Sequence, residues 1–332
     1  MKTPQSIIGN FKFFSLALAA ILLVSCRDAA EVRTLKLAHG LDPSHSVHKG
    51  MVYMAERIEE KSGGRLRMDV YPSGQLGTER ENVEMLQIGS LAITKVSAAI
   101  LEGFAPSYAI FGLPFLFNDK PHLHRVLDSE IGRELLLDIE RFWLRGLTFY
   151  DAGSRSFYTS HRPILHPDDL RGLKIRVMQS PSAIAMIKAF GGSPTPLSWG
   201  ELYTALQAGV VDGAENNPPS FVLSHHYEIS RYYSLTEHTT IPDVLAISTK
   251  VWNLLSEQEQ QWVQEAADES AVYQRKLWAE SERETLERAR QAGVTILKPD
   301  KAPFIERVQG MYNSMKENPE FYGLITRIQA KK

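Results

Sequence analysis

Apolar and polar residues alternate near the start of the globular part of the chain, fall into a helical rhythm, and then alternate again. Residues 34–38 (Thr-Leu-Lys-Leu-Ala) read as a strand, because alternation offers one face to a core. Residues 46–61 place Val47, Met51, Met54, Ala55 and Ile58 at helical spacing, and Gly63-Gly64 stops the run. Leu66, Met68 and Val70 then share one face of a strand over 65–71, which Pro72-Ser73-Gly74 ends. A helix over 78–88 and a short strand over 91–96 follow. Strand, helix, strand, helix, strand predicts a parallel sheet covered by helices.

Farther along, residues 109–117 carry Phe111, Leu113, Pro114, Phe115 and Phe117, too apolar for an exposed loop. The pattern predicts helix over 121–140, strand over 147–151, and a strand in Leu173-Lys-Ile-Arg-Val177. Helices over 182–190 and 201–208 and a brief strand over 210–214 come next. Residues 256–291 read as one long helix, or two with a kink. Their stripe of Trp262, Val263, Ala266, Ala267, Val272, Leu277 and Trp278 would pack across more than one lobe. The expected class is α/β, with 34–150 mainly one lobe and 151–245 mainly a second. Residues 246–332 are expected to form C-terminal helices bridging both, the long one acting as a brace.

The N-terminal stretch changes where this domain works. Met1-Lys2 and Lys12 precede an uncharged run over 13–23, and Leu23-Val24-Ser25-Cys26 closes it. A basic segment, an apolar segment and a small residue before the cleavage point are the order of a secretory signal. The run is shorter than the ~20 residues of a membrane span. A cysteine at that boundary is the pattern of a lipoprotein signal over 1–25. Cys26 would then be lipidated and 26–33 would tether a periplasmic, membrane-anchored domain. Cys26 is also the single cysteine, which excludes internal disulfides, thiolate zinc sites and a cysteine nucleophile. With 37 basic and 39 acidic residues, the 332-residue chain has no cationic surplus for nucleic acid.

Catalytic signatures are missing. The sequence contains no Gly-x-Ser-x-Gly, His-Glu-x-x-His, P-loop or Gly-x-Gly-x-x-Gly, so hydrolase and nucleotide-cofactor chemistry find no support. His39, His45 and His48 cluster, but at no standard zinc spacing, so no metal is expected. His122, His124, His225 and His226 look like surface helix positions. Arg176 is unusual, because a guanidinium in an apolar strand needs an anionic partner. Its planar fork suits a bound carboxylate, and an internal acid would serve equally. Asn216 and Asn217 in Asp-Gly-Ala-Glu-Asn-Asn-Pro-Pro219 are either ligand donors at a strand end or a polar turn before a helix.

Seven motifs occur in order: Tyr71-Pro-Ser-Gly-Gln-Leu-Gly77, Gly89-Ser-Leu91, Gly112-Leu-Pro-Phe-Leu-Phe117, Leu170-Arg-Gly-Leu-Lys-Ile-Arg-Val177, Gly192-Ser-Pro-Thr-Pro196, Glu201-Leu-Tyr-Thr-Ala-Leu-Gln-Ala-Gly209 and Val211-Asp-Gly-Ala-Glu-Asn216. Together with the leader they resemble the DctP-type solute-binding proteins of tripartite ATP-independent periplasmic (TRAP) transporters, over roughly residues 34–320. The resemblance implies a two-lobed periplasmic binding protein fold with a hinge. It implies no cofactor, and a small organic acid handed to a membrane permease. It assigns Arg176 to the substrate carboxylate, Arg155 as a second arginine, Asn216 and Trp199 to the ligand, and Glu79 to a polar contact.

The likeness extends to members that bind hexuronates, through Thr94-Lys-Val-Ser-Ala98 and the doubled Asn216-Asn217. A sugar acid needs one clamped carboxylate and several matched hydroxyls, because each unmatched buried polar group costs ~1–3 kcal/mol. Lys95, Glu79, Asn216, Glu215, His39 and His48 are the candidates for those contacts. A C4-dicarboxylate or 2-oxo acid is the alternative, with Arg155, Arg176 and Lys95 as cationic ends. A sugar-acid lyase or hydrolase using a histidine base, and a receptor presenting ligand to a sensor, are readings of other classes.

Overall fold

In the computed structural model, which describes residues 32–331, strands gather into a five-stranded and a six-stranded sheet. Cys26 and the leader lie outside the described residues. The first sheet contains β1 (Arg33–Ala38), β2 (Leu66–Tyr71), β3 (Ile93–Ser97), β4 (Leu144–Tyr150) and β10 (Asp243–Ser248), in the order β2-β1-β3-β10-β4. β1 pairs in parallel with β2 and β3, as the early alternation predicts. β10 runs antiparallel to both β3 and β4, so the sheet is mixed rather than wholly parallel.

The second sheet holds β5 (Ser154–Thr159), β6 (Lys174–Val177), β7 (Ser193–Pro196), β8 (Gly213–Asn216), β9 (Tyr232–Thr240) and β11 (Thr295–Leu297), in the order β11-β9-β5-β8-β6-β7. Two direct strand-to-strand connections therefore cross between the lobes, residues 151–153 between β4 and β5, and Ile241 and Pro242 between β9 and β10. A boundary drawn at residue 245 falls inside β10, a strand of the first lobe.

Helices cover both sheets. On the first lobe these are α1 (Ser46–Ser62), α2 (Glu79–Ile88), α3 (Ala98–Leu101), α4 (Lys120–Leu127) and α5 (Glu130–Asp138). The second lobe carries α6 (Pro181–Phe190), α7 (Leu202–Gln207) and α8 (Pro218–Leu223). After the short α9 (Thr249–Trp252) comes α10 (Glu257–Gln291), one uninterrupted helix of 35 residues. Three helices end the described chain, α11 (Ala302–Arg307), α12 (Gln309–Lys316) and α13 (Pro319–Ala330). Phe304 and Val308 enter a second-lobe core with Phe157 and Phe190, whereas Ile325 and Ile328 enter a first-lobe core with Leu135 and Phe149. No helix among the described residues is long and apolar enough to cross a membrane.

α10 starts at a capping box, in which Ser256 and Glu259 satisfy each other's backbone N–H groups. It packs on α1 of the first lobe and on α8 of the second. Its expected stripe needs correcting: Val272 is exposed, and the polar Ser270 and Gln274 are buried instead. Ser270 accepts from the Tyr150 hydroxyl (2.7 Å). Gln274 accepts from the Asp151 N–H (2.9 Å) and donates to the Asp151 carbonyl (2.8 Å). The helix thus grips the interlobe crossing by its backbone, which a purely apolar stripe could not do.

Candidate functional site

A cavity of about 320 Å³ opens between the lobes, beside both crossings. The first lobe contributes Glu79, Lys95, Ser97, His45 and the turn after β2, and the second contributes Arg155, Arg176, Trp199 and Asn216. Ile241 comes from one crossing and Asp243 from the start of β10 beside it, Ala152 from the other crossing, and Trp278 from α10.

Strand alternation explains how an arginine reaches this wall. Ile175 and Val177 point into the second-lobe core, so Arg176 between them must face the other way. It is 2% exposed. Its Nε and Nη2 both donate to the Leu197 carbonyl, at 3.0 and 2.7 Å, and its side chain lies over the Trp199 ring at 5.9 Å. Nη1 is buried with no partner, and no acid lies within ion-pair distance among the described residues. Burial, and after it the like charge of Arg155, lower its proton affinity. A buried ion left alone carries a penalty of roughly several kcal/mol, which a bound anion would offset. Of the two partners open at the level of sequence, the internal acid is not there.

Arg155 has the opposite circumstances. Its Nε and Nη2 form a fork on the Glu215 carboxylate (2.5 and 2.9 Å), Nη2 also reaches the Glu215 carbonyl, and Nη1 donates to Asn216 Oδ1 at 2.9 Å. Burial would raise the Glu215 carboxyl, but Arg155 and His238 (Nε2 at 3.6 Å) outweigh it and hold the group at about 2. Arg155, the expected second arginine, does line the cavity, and its fork is occupied by Glu215. Glu215, expected at the ligand, lies behind it.

Lys95 is held by two acids, Glu79 at 2.5 Å and Asp243 at 3.3 Å. Burial opposes its charge, but the carboxylates prevail and raise its proton affinity. Glu79 also accepts from the Ser97 N–H (3.3 Å). The trio therefore presents both acceptors and donors. Arg80, at the cavity rim, faces Glu84 at 3.6 Å. Among the described lining residues, Arg176 is thus the one cation without an acid.

The asparagines divide their labour. Asn216 Oδ1 accepts from Arg155 and from the Asn217 N–H, which leaves its amide nitrogen as the end available to a ligand. Asn217 Oδ1 accepts from the Ser220 N–H at the start of α8, and its Nδ2 donates to the Ala152 carbonyl. Asn217, expected at the ligand, does line the cavity, with both ends of its amide already engaged by the helix cap and the crossing.

The histidines also need correction. His39 Nε2 donates to His48 Nδ1 at 3.0 Å, the tautomer required because His39 Nδ1 accepts the Leu41 N–H. Both rings sit behind the wall, and the histidine at the wall is His45. Burial, then the charge of Lys95, depress His45 to about 3, so it is neutral. His122 and His226, expected on the surface, are buried: His122 faces the Ile328 carbonyl, and His226 the Tyr158 hydroxyl. Asp243 and Trp278 were missed as site residues. Asp243 opens a strand that the pattern reading did not predict. Trp278 packs in the first-lobe core, as its stripe spacing predicts, and also reaches the cavity, which spacing does not show.

The chain matches the model of the bacterial extracellular solute-binding proteins, family 7 (DctP), over residues 37–318. Protein YiiZ of Salmonella typhimurium is 38% identical over 322 residues, covering 96% of this chain and 98% of that protein. Among solved structures, a TRAP periplasmic solute-binding protein from Xanthobacter autotrophicus Py2 with bound β-D-galacturonate is 38% identical. It has a TM-score of 0.87 and covers 90% of this chain and all of the other, at 100%. One from Chromohalobacter salexigens with bound D-glucuronate is 35% identical, also with a TM-score of 0.87, covering 90% and 100%.

Proposed function

This chain belongs to the DctP family of extracellular solute-binding proteins, and on that premise we propose that its cleft receives a hexuronate for delivery to a TRAP permease. The observation that carries the reading is the buried Arg176, with Nη1 unpaired and no acid beside it. A single uncompensated cation calls for one carboxylate. A C4-dicarboxylate would want two free cations, yet Arg155 is committed to Glu215 and Lys95 to Glu79 and Asp243. The remaining wall, with Glu79, Asp243, Lys95 and the Asn216 amide, suits the mixed donor and acceptor hydroxyls of a sugar. The uronates bound to the two similar structures support the same class.

The test is thermal unfolding against hexuronates, aldonates, C4-dicarboxylates, 2-oxo acids and sialic acid. A ligand at 100 times its Kd stabilises by ~2.7 kcal/mol, which moves the midpoint by a few degrees. A preference for succinate over every uronate would overturn the sugar-acid reading. Arg176→Ala is expected to abolish measurable binding. Arg176→Lys should weaken it by about 100-fold or more, because a point charge cannot both hold the Leu197 carbonyl and meet a carboxylate. Unchanged affinity in Arg176→Lys would remove the clamp from the account.

The same reading includes a lipid anchor on Cys26, supported by the leader pattern. Cys26→Ser should release the protein from the membrane fraction into the soluble periplasm. If the wild type is already soluble there, the anchor is wrong and the receptor reading stands.

A further inference from the structure

Among the described residues, two further buried donors face this cavity without partners. His45 and Trp278 are 2% and 1% exposed, both line the wall, and their ring centroids are 5.8 Å apart. His45 Nδ1 accepts the Val47 N–H at the start of α1, so the neutral ring carries its proton on Nε2. That N–H has no acceptor. The indole Nε1–H of Trp278 can only donate, and it has none either. Folded proteins rarely leave such groups unpaired, and two side by side at a ligand cavity point to an acceptor that arrives with the ligand.

The position of Trp278 adds a consequence. It is the one residue of α10 at the wall among the described residues. One turn earlier on the same helix, Gln274 holds the Asp151 peptide at the crossing. Gly153, in that crossing, sits so close that a Cβ there would lie 3.0 Å from Trp278 Nε1 and 2.5 Å from Glu282 Oε1.

We infer that His45 and Trp278 form a second polar subsite, which takes a ligand oxygen accepting hydrogen bonds from both rings. It rests on the carboxylate reading of the cleft and adds a chemical demand to it. The ligand must present an acceptor oxygen at this point, and an analogue with a methylene there leaves two buried donors unpaired. The subsite also ties the ligand directly to the helix that spans both lobes.

Calorimetric titration of the full chain with D-galacturonate, D-glucuronate and their deoxy and carbocyclic analogues tests this, alongside Trp278→Phe and His45→Asn. Phenylalanine removes the N–H and keeps an aromatic ring, while asparagine keeps an acceptor for the Val47 N–H. On the wild type, one analogue in the series should bind at least about 10-fold more weakly than its parent. In Trp278→Phe the parent uronate should lose about 10- to 100-fold, and that discrimination should vanish. Unliganded Trp278→Phe should melt somewhat below the wild type, because the smaller ring leaves a void in the first-lobe core, so the affinities and not the midpoint carry the test.

Two results overturn the subsite: unchanged uronate affinity in Trp278→Phe, or a loss of affinity in which the discrimination between parent and analogue persists. The second would make the indole a structural group. If neither uronate binds the wild type, the proposed ligand class fails. The same comparison of wild type and Trp278→Phe is then made with whichever acid of the panel binds, and unchanged affinity there overturns the subsite.

Discussion

Arg155 and Arg176 sit on β5 and β6, the two strands that flank β8, and both reach one cavity. What separates them is a single carboxylate. Glu215 on β8 occupies the fork of Arg155, and among the described residues no carboxylate comes within ion-pair distance of Arg176. Glu215→Gln should therefore do two things. It should destabilise the fold by about 3–5 kcal/mol in denaturant unfolding, the usual effect of stranding one member of a buried ion pair. It should also free a second cation at the wall, so a hexarate gains affinity relative to a hexuronate in calorimetric competition. An unchanged ratio would mean that Arg155 does not face the ligand even when released.

Among the elements, α10 governs how the lobes meet. Its contact with α1 is made possible by Gly50, where a Cβ would lie 2.9 Å from Gln274 Cβ and 3.1 Å from Tyr150 Cε2. Gly50→Ala must push the two helices apart. A cost of about 1–3 kcal/mol is expected from overpacking, read as a lowered urea midpoint. Ser256→Ala, which removes the cap of the same helix, should cost about 1 kcal/mol and leave ligand affinity unchanged. If Ser256→Ala weakened binding as much as Gly50→Ala, then general helix stability, rather than the α1 contact, would set the cleft geometry.

At the scale of the whole molecule, the buried histidines make stability depend on pH in a defined window. Burial, ahead of nearby cations, depresses His39 to about 2 and His45 and His226 to about 3. Unfolded histidine titrates near ~6.5, so below that pH the unfolded chain takes up protons that the folded one refuses. This contribution to stability is complete above ~6.5 and declines as the pH falls toward 3, each group costing at most ~1.4 kcal/mol per pH unit. Glu215, held at about 2, acts in a lower window: its contribution is present above the unfolded value of ~4.3 and is lost only below it. Melting midpoints at constant ionic strength should therefore fall by several degrees from pH 7 to pH 5.5. A midpoint that stays level over that range would show that these rings can accept protons in the folded state.

Much of this was legible in the sequence, and the reasons can be named. β1, β2, α1 and α10 announce themselves because apolar periodicity and caps are local signals. The motif order was enough to indicate two lobes closing over an acid, and Arg176 stood out because an arginine in an apolar strand has few explanations. β5, β9 and β10 were not foreseen. β5 and β9 carry polar groups such as Arg155, Thr236 and His238 that break alternation, whereas β10 is marked by the apolar run Val244-Leu-Ala-Ile247 after Pro242, too short to be told from a helical segment by periodicity.

Local spacing by itself determined the α/β class and residue chemistry singled out Arg176, while the two lobes, Arg155 and the organic acid came from the resemblance of the ordered motifs. Tertiary structure alone decided that Arg155 is spent on Glu215, that Asn217 caps a helix, and that His45 rather than His39 or His48 stands at the wall. Pairing joins residues far apart in the chain, and a side chain's free hydrogen-bonding capacity exists only after its neighbours have taken their share.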